Sequence, residues 1–491
     1  MSDTLDPRNP TWSWAWGRSH SLLEYPLAAR HRSCRSIVFF VMWLIIVLWL
    51  AQVTVAPPAL AEQSATQAPS DTLVKFVILS RHGVRSPIPS QSELGTWTAS
   101  QWPAWNCAGA PDSTKACEPG QLTTRGRTLA EQMGTSYYRT YLAEFLPTNQ
   151  CPAQNDVFFW ADLTERTENT GLALLRGFRP SCEIAKYFLT AATPPPDKIF
   201  HPVTSAGPCT LDAARAEREI LARAGGSLSN LTTSLEAELA TAQKALQCCQ
   251  SRLCDVTRTA CRRPPPSPNA CTLTDRLPSC LVPHPESGTP TQVLLGGALR
   301  NASTFAELLL LEYANGLPQS DVGWGRITRD QMSQVFRLHT TAFDLEQRTP
   351  YIAKRQGSVL LKKILLALQG MTDNMPGTAP PSAKFVAYVG HDTNISNVAS
   401  MLGLSWQQQG YQKDQTPPAG ALIFELHKVL SGLRYVSVFY VAQSLDDMRN
   451  VTGISPQRTS VPIPGCGNGS LCPLDHFAKL IEQALDPDCS Q

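Results

Sequence analysis

Three short apolar runs, each followed by a segment with helical character, limit the fold of this 491-residue chain more than any other feature. The runs are VKFVILS at residues 74–80, VFFWA at residues 157–161 and KFVAYVG at residues 384–390. Each run is short, rich in β-branched or aromatic residues and apolar on both faces, as in a strand buried between two layers. Strand followed by helix, repeated along the chain, predicts an α/β sheet with helices on both faces.

The middle of the chain has a different composition. Residues 213–250 are rich in Ala, Leu, Glu and Arg, which favour helix, and a further amphipathic helix is predicted from about Ala302. We interpret residues 209–335 as a helical cap domain inserted into an α/β domain formed by residues 72–208 and 336–491. Residues 62–71 are predicted to be a linker.

The N-terminal 61 residues have the pattern of a secretory signal peptide with a long basic region. Arg30, Arg32 and Arg35 precede a 15-residue apolar run at 37–51, and A-L-A follows at 59–61. That order of basic, apolar and small residues is typical of a cleaved export signal. The run is short for a membrane span of about 20 residues. The alternative is an uncleaved anchor, which would be the chain's only contact with a membrane.

Cysteine usage also indicates export. The chain has 15 cysteines, of which only Cys34 lies in the leader, and the remaining even number suits a disulfide framework in an oxidising compartment. We therefore expect a periplasmic or secreted protein. Adjacent Cys248 and Cys249 are expected to pair with other cysteines, such as Cys261 and Cys280. The cysteines lack the spacing and histidine partners of a zinc site, so no metal or other cofactor is expected.

Charged residues follow all three predicted strands. In open α/β sheets, ligands bind just beyond the carboxyl ends of the strands, so residues far apart in sequence would meet in one crevice there. A net charge of only +2 gives no reason to expect nucleic acid as the partner. The groups that the crevice would collect are Arg81, His82, Arg85, Asp162, Arg166, His391 and Asp392.

This set of side chains is suited to a phosphate monoester. Arginine presents a planar fork that matches phosphate oxygens, and a neutral histidine is a nucleophile that forms a covalent intermediate. Asp392 is the candidate acid for the leaving alkoxide, and an aspartic acid donates only when protonated, so activity is expected at acidic pH. The alternatives are a surface turn at RHG, a core histidine at 391, and a helix ion pair of Arg166 with Glu165 or Glu168. The coincidence of three such motifs at predicted strand ends favours the site.

RHGVRSP at 81–87 and GHDTN at 390–394 together resemble the signature pair of the histidine acid phosphatases. The similarity is closest to the bacterial periplasmic branch of phytase/acid phosphatases and glucose-1-phosphatases, and it extends over nearly all of the chain after the leader. It implies a mixed central sheet flanked by helices, of the phosphoglycerate-mutase-like or histidine phosphatase type, with a smaller helical domain. Other similar segments are ADLTERTENTG, RAGGS, GWGRI, QRTP and TPPAGALIFE.

The resemblance also implies roles for individual residues. His82 would be the phosphorylated nucleophile and Asp392 the proton donor, while Asp162 and Arg348 would border the substrate. The residues that would hold the phosphate are Arg81, Arg85, Arg166 and His391. The disulfides implied are Cys151–Cys182, Cys209–Cys489, Cys254–Cys271 and Cys466–Cys472, with Cys107–Cys117 as an additional local bridge.

The expected function is hydrolysis of small phosphate monoesters, such as phytate or sugar phosphates, through a phosphohistidine at acidic pH. Phytase members often carry a threonine and a lysine after the motif's proline, where this chain has Ile88 and Pro89, which weakens the case for phytate. One alternative is a glucose-1-phosphatase-like sugar phosphatase. A phosphoglycerate-mutase-like transferase is disfavoured by the leader and the cysteines, and a non-catalytic phospho-ligand-binding protein by the presence of both His82 and Asp392.

Overall fold

The computed structural model describes residues 71–490, except for residues 96, 99, 108–116, 143–145, 147–149, 180, 192–195, 248–278, 286–287, 453–454 and 468–470. All described residues belong to one unit, Pro69–Gln491. The predicted signal peptide, most of the predicted linker and the bridge Cys254–Cys271 lie outside the described residues, as do Cys248, Cys249 and Cys261.

An eight-stranded mixed sheet forms the centre of the fold, with strand order β10-β8-β7-β1-β6-β2-β3 and β9 paired to β8. The strands β1, β6, β2 and β3 run parallel, whereas β7, β8, β9 and β10 pair antiparallel. The sheet's strands are β1 (Thr72–Arg81), β2 (Val157–Ala161), β3 (Phe188–Thr190), β6 (Phe385–Gly390), β7 (Ala421–Lys428), β8 (Arg434–Ala442), β9 (Gln457–Ser460) and β10 (Cys472–Pro473). A separate antiparallel pair consists of β4 (Cys280–His284) and β5 (Gln292–Gly296).

Helices cover both faces of the sheet and form a further layer beside it. Those between Thr124 and Leu246 are α2 (Thr124–Tyr137), α3 (Glu165–Phe178), α4 (Ala213–Arg223), α5 (Leu228–Ser234) and α6 (Glu236–Leu246), preceded by the single turn α1 (Gln91–Leu94). The later helices are α7 (Ala298–Ala314), α8 (Arg329–Glu346), α9 (Pro350–Gln369), α10 (Asp392–Met401), α11 (Leu445–Asn450) and α12 (Leu474–Ala484).

The alternation of side chains along β1 shows why the sheet needs two covering layers. Phe76 and Ile78 pack into the core that includes α2 and α3, whereas Val77 and Leu79 pack into the core that includes α9, α10 and α12. All four side chains are fully buried, because successive residues of a strand point to opposite faces. The predicted strand buried on both sides, and with it the predicted α/β fold class, is confirmed.

A third core joins the helices α4 to α8. The region predicted to be a helical cap, residues 209–335, contains α4 to α7 but also the hairpin β4–β5, which the sequence analysis did not predict. The predicted boundary after residue 335 falls inside α8. The division of the chain into two domains therefore stays a prediction.

The parallel strands β1, β6 and β2 end side by side. Arg81 lies opposite Gly390 and Ala161 lies opposite Val389 in the sheet register. The pairing continues one residue further, since the backbone N–H of His82 donates to Gly390 O (2.9 Å) and that of Asp162 to Val389 O (3.0 Å). The charged residues that follow the three strands consequently lie at one edge of the sheet.

Disulfides fix several peripheral segments. The structure contains four of the five bridges implied by the resemblance, namely Cys107–Cys117, Cys151–Cys182, Cys209–Cys489 and Cys466–Cys472. Cys280 is also disulfide-bonded, to a partner outside the described residues. Within the described part of the chain, no helix is both long enough and apolar enough to cross a membrane.

Candidate active site

The loop that carries His82 is held by hydrogen bonds from its backbone to Thr170 of α3 and to Thr123, the residue before α2. Gly83 N donates to Thr170 Oγ1 (2.9 Å), and Val84 O accepts from the backbone N–H of Thr123 (2.9 Å). Gly126, in the first turn of α2, approaches so closely that a Cβ there would lie 2.2 Å from Val84 O. Only glycine permits this contact, so the position of the loop depends on it.

His82 is buried at the end of β1 and is held in one tautomer. Its Nδ1 lies 2.8 Å from Gly83 O, and because a carbonyl only accepts, Nδ1 carries the proton and Nε2 keeps its lone pair. Burial, reinforced by the charges of Arg166, Arg81 and Arg85, holds the pKa of His82 well below its ordinary value. His82 is therefore a neutral imidazole whose Nε2 carries the free lone pair.

A buried carboxylate that sequence analysis missed organises the two motif arginines. Glu307 of α7 accepts from Arg81 Nη2 at 2.5 Å and from Arg85 Nη2 at 2.7 Å. Burial alone would raise the pKa of Glu307, but the charges of Arg85 and Arg81 outweigh it and hold the pKa well below its ordinary value. The available signal was a single glutamate within the apolar stretch FAELLLL of a predicted helix.

Arg81 differs from the other two arginines in its surroundings. Its side chain is fully buried, and its terminal nitrogens already contact Thr416 O (2.6 Å), Glu307 and Asp392 Oδ2 (2.7 Å). A cavity of about 470 Å³ is lined by His82, Arg85, Arg166, His391 and Asp392, and Arg81 is not among the described residues that line it. Arg81 thus holds Asp392 and Glu307 in place next to His82.

The Nε groups of Arg81, Arg85 and Arg166 are buried and have no hydrogen-bond partner within the described part of the chain. Buried donors in native proteins are almost always paired, so the two such N–H groups on residues that line the cavity, those of Arg85 and Arg166, suit an acceptor-rich ligand. A phosphate group offers several anionic oxygens and matches this need.

His391, the residue before α10, is oriented by Asp162. The Asp162 Oδ2 atom lies 2.6 Å from His391 Nε2 and 3.1 Å from Nε2 of His201, a residue that sequence analysis did not single out. Burial would raise the pKa of Asp162, but the hydrogen bonds from His201 and His391 outweigh it and keep the pKa below its ordinary value. Burial lowers the pKa of His391, while Asp162 opposes that effect.

The contact with Arg166 shows which ring nitrogen of His391 carries the proton. Arg166 Nη2 lies 3.4 Å from His391 Nδ1, and because arginine only donates, Nδ1 accepts and Nε2 donates to Asp162. The rings of His82 and His391 are 5.6 Å apart between centroids. A tetrahedral anion beside His82 would therefore meet Nδ1 of His391 together with the arginine side chains.

Asp392 is the first residue of α10 and faces the same cavity. Its Oδ1 accepts from the backbone N–H of Thr393 (2.9 Å), and its Oδ2 is the atom paired with Arg81. Its carboxyl group is thus positioned within the site by two different donors.

Asp162 and Arg348, which were predicted to border the substrate, are not among the described residues that line this cavity. Asp162 is buried and supports His391 and His201. Arg348 donates to Leu404 O (2.6 Å) and lines a second cavity, of about 300 Å³, together with His339. His339 also lines the cavity of His82. Its Nε2 is buried and has no hydrogen-bond partner within the described residues, as is the case for the Nε groups of Arg81, Arg85 and Arg166.

The outer part of the active-site cavity is mixed in character. Ile88 and Pro89 line it as apolar groups, and the Ile88 side chain is exposed. Arg300 adds a positive charge, but it lies 3.7 Å from the carboxylate of Glu346, which lines the same cavity. The cavity therefore combines Arg85 and Arg166 with apolar side chains and a further ion pair.

Comparisons with known proteins agree with this geometry. The family model described as histidine phosphatase superfamily (branch 2) matches residues 72–277 and 297–441. Phytase AppA of Escherichia coli (strain K12) is 34% identical over 439 residues, covering 87% of this chain and 95% of that protein. Glucose-1-phosphatase of Salmonella typhimurium is 28% identical over 437 residues, covering 86% of this chain and 95% of that protein.

A solved structure, Hafnia alvei phytase in complex with tartrate, matches with a TM-score of 0.75 at 34% identity and covers 86% of this chain and 100% of that chain. The chain therefore belongs to branch 2 of the histidine phosphatase superfamily. It is a phosphatase, and its substrates are small-molecule phosphate esters. The family predicted from RHGVRSP and GHDTN is confirmed.

Proposed function

We propose that this chain is an exported acid phosphatase in which His82 attacks a phosphate monoester and Asp392 protonates the leaving group. The observation that carries the proposal is the state of His82. It is a buried, neutral imidazole with Nε2 available, and it is surrounded by arginines whose Nε groups have no protein partner among the described residues.

The reaction has two steps. In the first, Nε2 of His82 attacks phosphorus, the P–N bond forms, and the ester P–O bond breaks as the leaving oxygen takes the proton of the Asp392 carboxyl group. In the second, water attacks phosphorus and gives its proton to the Asp392 carboxylate. The P–N bond then breaks, inorganic phosphate leaves, and both side chains regain their initial protonation.

Arg85, Arg166 and His391 are proposed to bind the phosphate oxygens directly, because all three line the cavity with His82. With Nε2 already donating to Asp162, His391 becomes an imidazolium when a phosphate dianion lies at Nδ1, since both of its N–H groups then face anions. Arg81 contributes its charge and holds the carboxyl group of Asp392.

Phytate is the first substrate to test, because a phytase is 34% identical to the chain over most of its length. A glucose-1-phosphatase-like activity is the second candidate. It is favoured by Ile88 and Pro89, which place apolar surface where a second phosphate group would need a cation. Export is supported by the N-terminal basic, apolar and A-L-A pattern and by the disulfides.

Phosphate release at pH 4–5 from phytate, glucose 1-phosphate and p-nitrophenyl phosphate tests both the activity and the substrate. We expect His82→Ala to release no phosphate, while His476→Ala, at an exposed histidine whose Nε2 lies 2.8 Å from Gly465 O, should match the native protein. Turnover by His82→Ala at the native rate would refute the nucleophile.

The role of Asp392 is tested by comparing two esters whose leaving groups differ in their need for a proton. Asp392→Asn should lose far more activity on glucose 1-phosphate than on p-nitrophenyl phosphate in the first step, because p-nitrophenolate leaves without protonation. A burst of about one p-nitrophenol per chain, followed by slow turnover, would indicate that the phosphohistidine accumulates. Equal losses on both esters without a burst would contradict the assignment of Asp392.

A further inference from the structure

The fold brings His201 to the back of the active site, next to two residues already described. One carboxylate oxygen of Asp162 lies 2.6 Å from His391 Nε2 and 3.1 Å from His201 Nε2. The potential ligand atoms of the three side chains all lie within 4.8 Å of one another. Two imidazoles and one carboxylate are a donor set that Zn²⁺ and similar ions bind, with a further position open.

We propose that Asp162, His201 and His391 bind one divalent transition-metal ion of the Zn²⁺ class, and that this ion inhibits the phosphatase. The inhibitory part rests on the proposed role of His391 in binding phosphate, whereas the binding part does not depend on catalysis.

The three ligands are supported by their neighbours, as the histidines of metal sites usually are. Asn394 Oδ1 accepts from the backbone N–H of His391, and Asn394 Nδ2 donates to Phe200 O, the carbonyl directly before His201 (2.9 Å each). Asp197 holds the same segment from the other side. Its Oδ2 accepts from Trp160 Nε1 (2.7 Å), and its backbone oxygen accepts from the backbone N–H of His201. One amide side chain thus fixes the backbone beside both histidines.

The two distances from Asp162 to the histidines need only a small adjustment to surround an ion. Ligand atoms about 2.0–2.1 Å from a tetrahedral zinc lie about 3.3 Å apart. The His201–Asp162 distance already approaches this value, and the His391–Asp162 distance must open by a fraction of an ångström. His201 is the partly exposed member of the set, with 35% of its side chain accessible, and it lines the cavity. The open coordination position therefore faces the substrate.

The surrounding charges predict moderate affinity. Asp162 supplies the only negative charge among the three ligands, and the guanidinium of Arg166 lies next to His391. Such a site is suited to reversible inhibition rather than to a resident cofactor. An ion held by His201 and His391, which both line the cavity of His82, would lie beside the expected phosphate position and move the His391 ring from the place where Asp162 holds it.

Binding is tested with Zn²⁺ alone, by calorimetry at pH 7 on the EDTA-treated, untagged protein, because imidazole binds metals in its neutral form. We expect one Zn²⁺ per chain for the native protein. Affinity should fall at least about tenfold in His201→Asn and His201→Gln, and should stay unchanged in His476→Asn. No binding by the native protein, or equal binding by the His201 variants, would overturn the proposal.

Co²⁺ provides a measurement that needs no variant. Bound at this site in the native protein, it should give the intense visible absorption of a four- or five-coordinate ion, and one equivalent of Zn²⁺ should abolish that absorption. A spectrum like that of hexaaqua Co²⁺ would contradict the site.

Inhibition is measured separately, with p-nitrophenyl phosphate rather than phytate, because phytate itself chelates metals. Zn²⁺ at concentrations above the dissociation constant found by calorimetry should inhibit the native protein, EDTA should restore activity, and His201→Asn should require at least about tenfold more Zn²⁺. Binding without inhibition would reject only the inhibitory part. A protein that hydrolyses no ester but binds Zn²⁺ would reject the proposed function and leave the metal site standing.

Discussion

Replacement of Glu307 by glutamine removes the charge that balances the two motif arginines while keeping the shape of the side chain. The carboxylate contacts Arg81 at 2.5 Å and Arg85 at 2.7 Å, and the three side chains are 9%, 0% and 5% exposed, respectively. Solvent therefore screens the pair very little, and the variant leaves two buried guanidinium groups with fewer anionic partners.

The expected loss of stability is about 3–5 kcal/mol, the cost of removing one partner from a buried ion pair. Phosphate binding should change in the opposite direction. A unit charge about 5 Å from an anion contributes roughly 3 kcal/mol at an effective dielectric constant of 20, so losing the negative charge of Glu307 should tighten phosphate binding at least tenfold. Turnover should then be limited by phosphate release.

The assay is urea unfolding at pH 5, with and without inorganic phosphate, followed by fluorescence. Native protein and Glu307→Gln are compared with Glu346→Gln, a buried glutamate of the same cavity whose nearest cation, Arg300, lies 3.7 Å away. Burial raises the pKa of Glu346, so its replacement at pH 5 should cost much less than that of Glu307. Added phosphate should stabilise Glu307→Gln more than it stabilises the native protein.

The reasoning about Glu307 would be refuted by a free energy of unfolding within about 1 kcal/mol of the native value, or by phosphate binding that is weaker than native. The first result would mean that Asp392 and Thr416 suffice to hold Arg81. The second would mean that the geometry imposed by Glu307 matters more to the phosphate than its charge does.

Three further changes have definite expected results. Asp162→Asn should lower kcat for p-nitrophenyl phosphate about 10- to 150-fold, because a hydrogen bond to a charged group contributes about 1.5–3 kcal/mol; a loss under twofold would contradict the role of His391. Burial raises the pKa of Glu312 to about 8, whereas an unfolded carboxyl titrates near about 4.3. The stability it provides is therefore complete below that lower value and is lost as pH rises through about 8. Urea unfolding between pH 5 and pH 9 should show a fall of up to about 4 kcal/mol that Glu312→Gln abolishes, and an unchanged pH dependence in the variant would argue against the role of Glu312. Gly126→Ala should destabilise the protein by about 1–3 kcal/mol and reduce turnover, as measured by thermal unfolding and kinetics against the exposed control Thr128→Ala; a native-like variant would show that the loop can shift without cost.

The sequence alone determined the features that depend on residues close together in the chain. Apolar runs on both sides of a strand require two covering layers, so the α/β class followed from residues 74–80, 157–161 and 384–390. Because parallel strands end at the same edge, the positions of His82, Asp162, His391 and Asp392 relative to one another also followed from the motifs.

Only the tertiary structure decided which groups support those residues. Glu307 comes from a helix more than 200 residues after Arg81, and His201 follows no motif, so neither contact has a signal of fixed spacing in the sequence. The same holds for the contacts of Arg81 with Thr416, Glu307 and Asp392, which no motif predicts. Strand ends are set by short-range pattern and sheet geometry, whereas charge balance in a buried site depends on which distant segments pack against it.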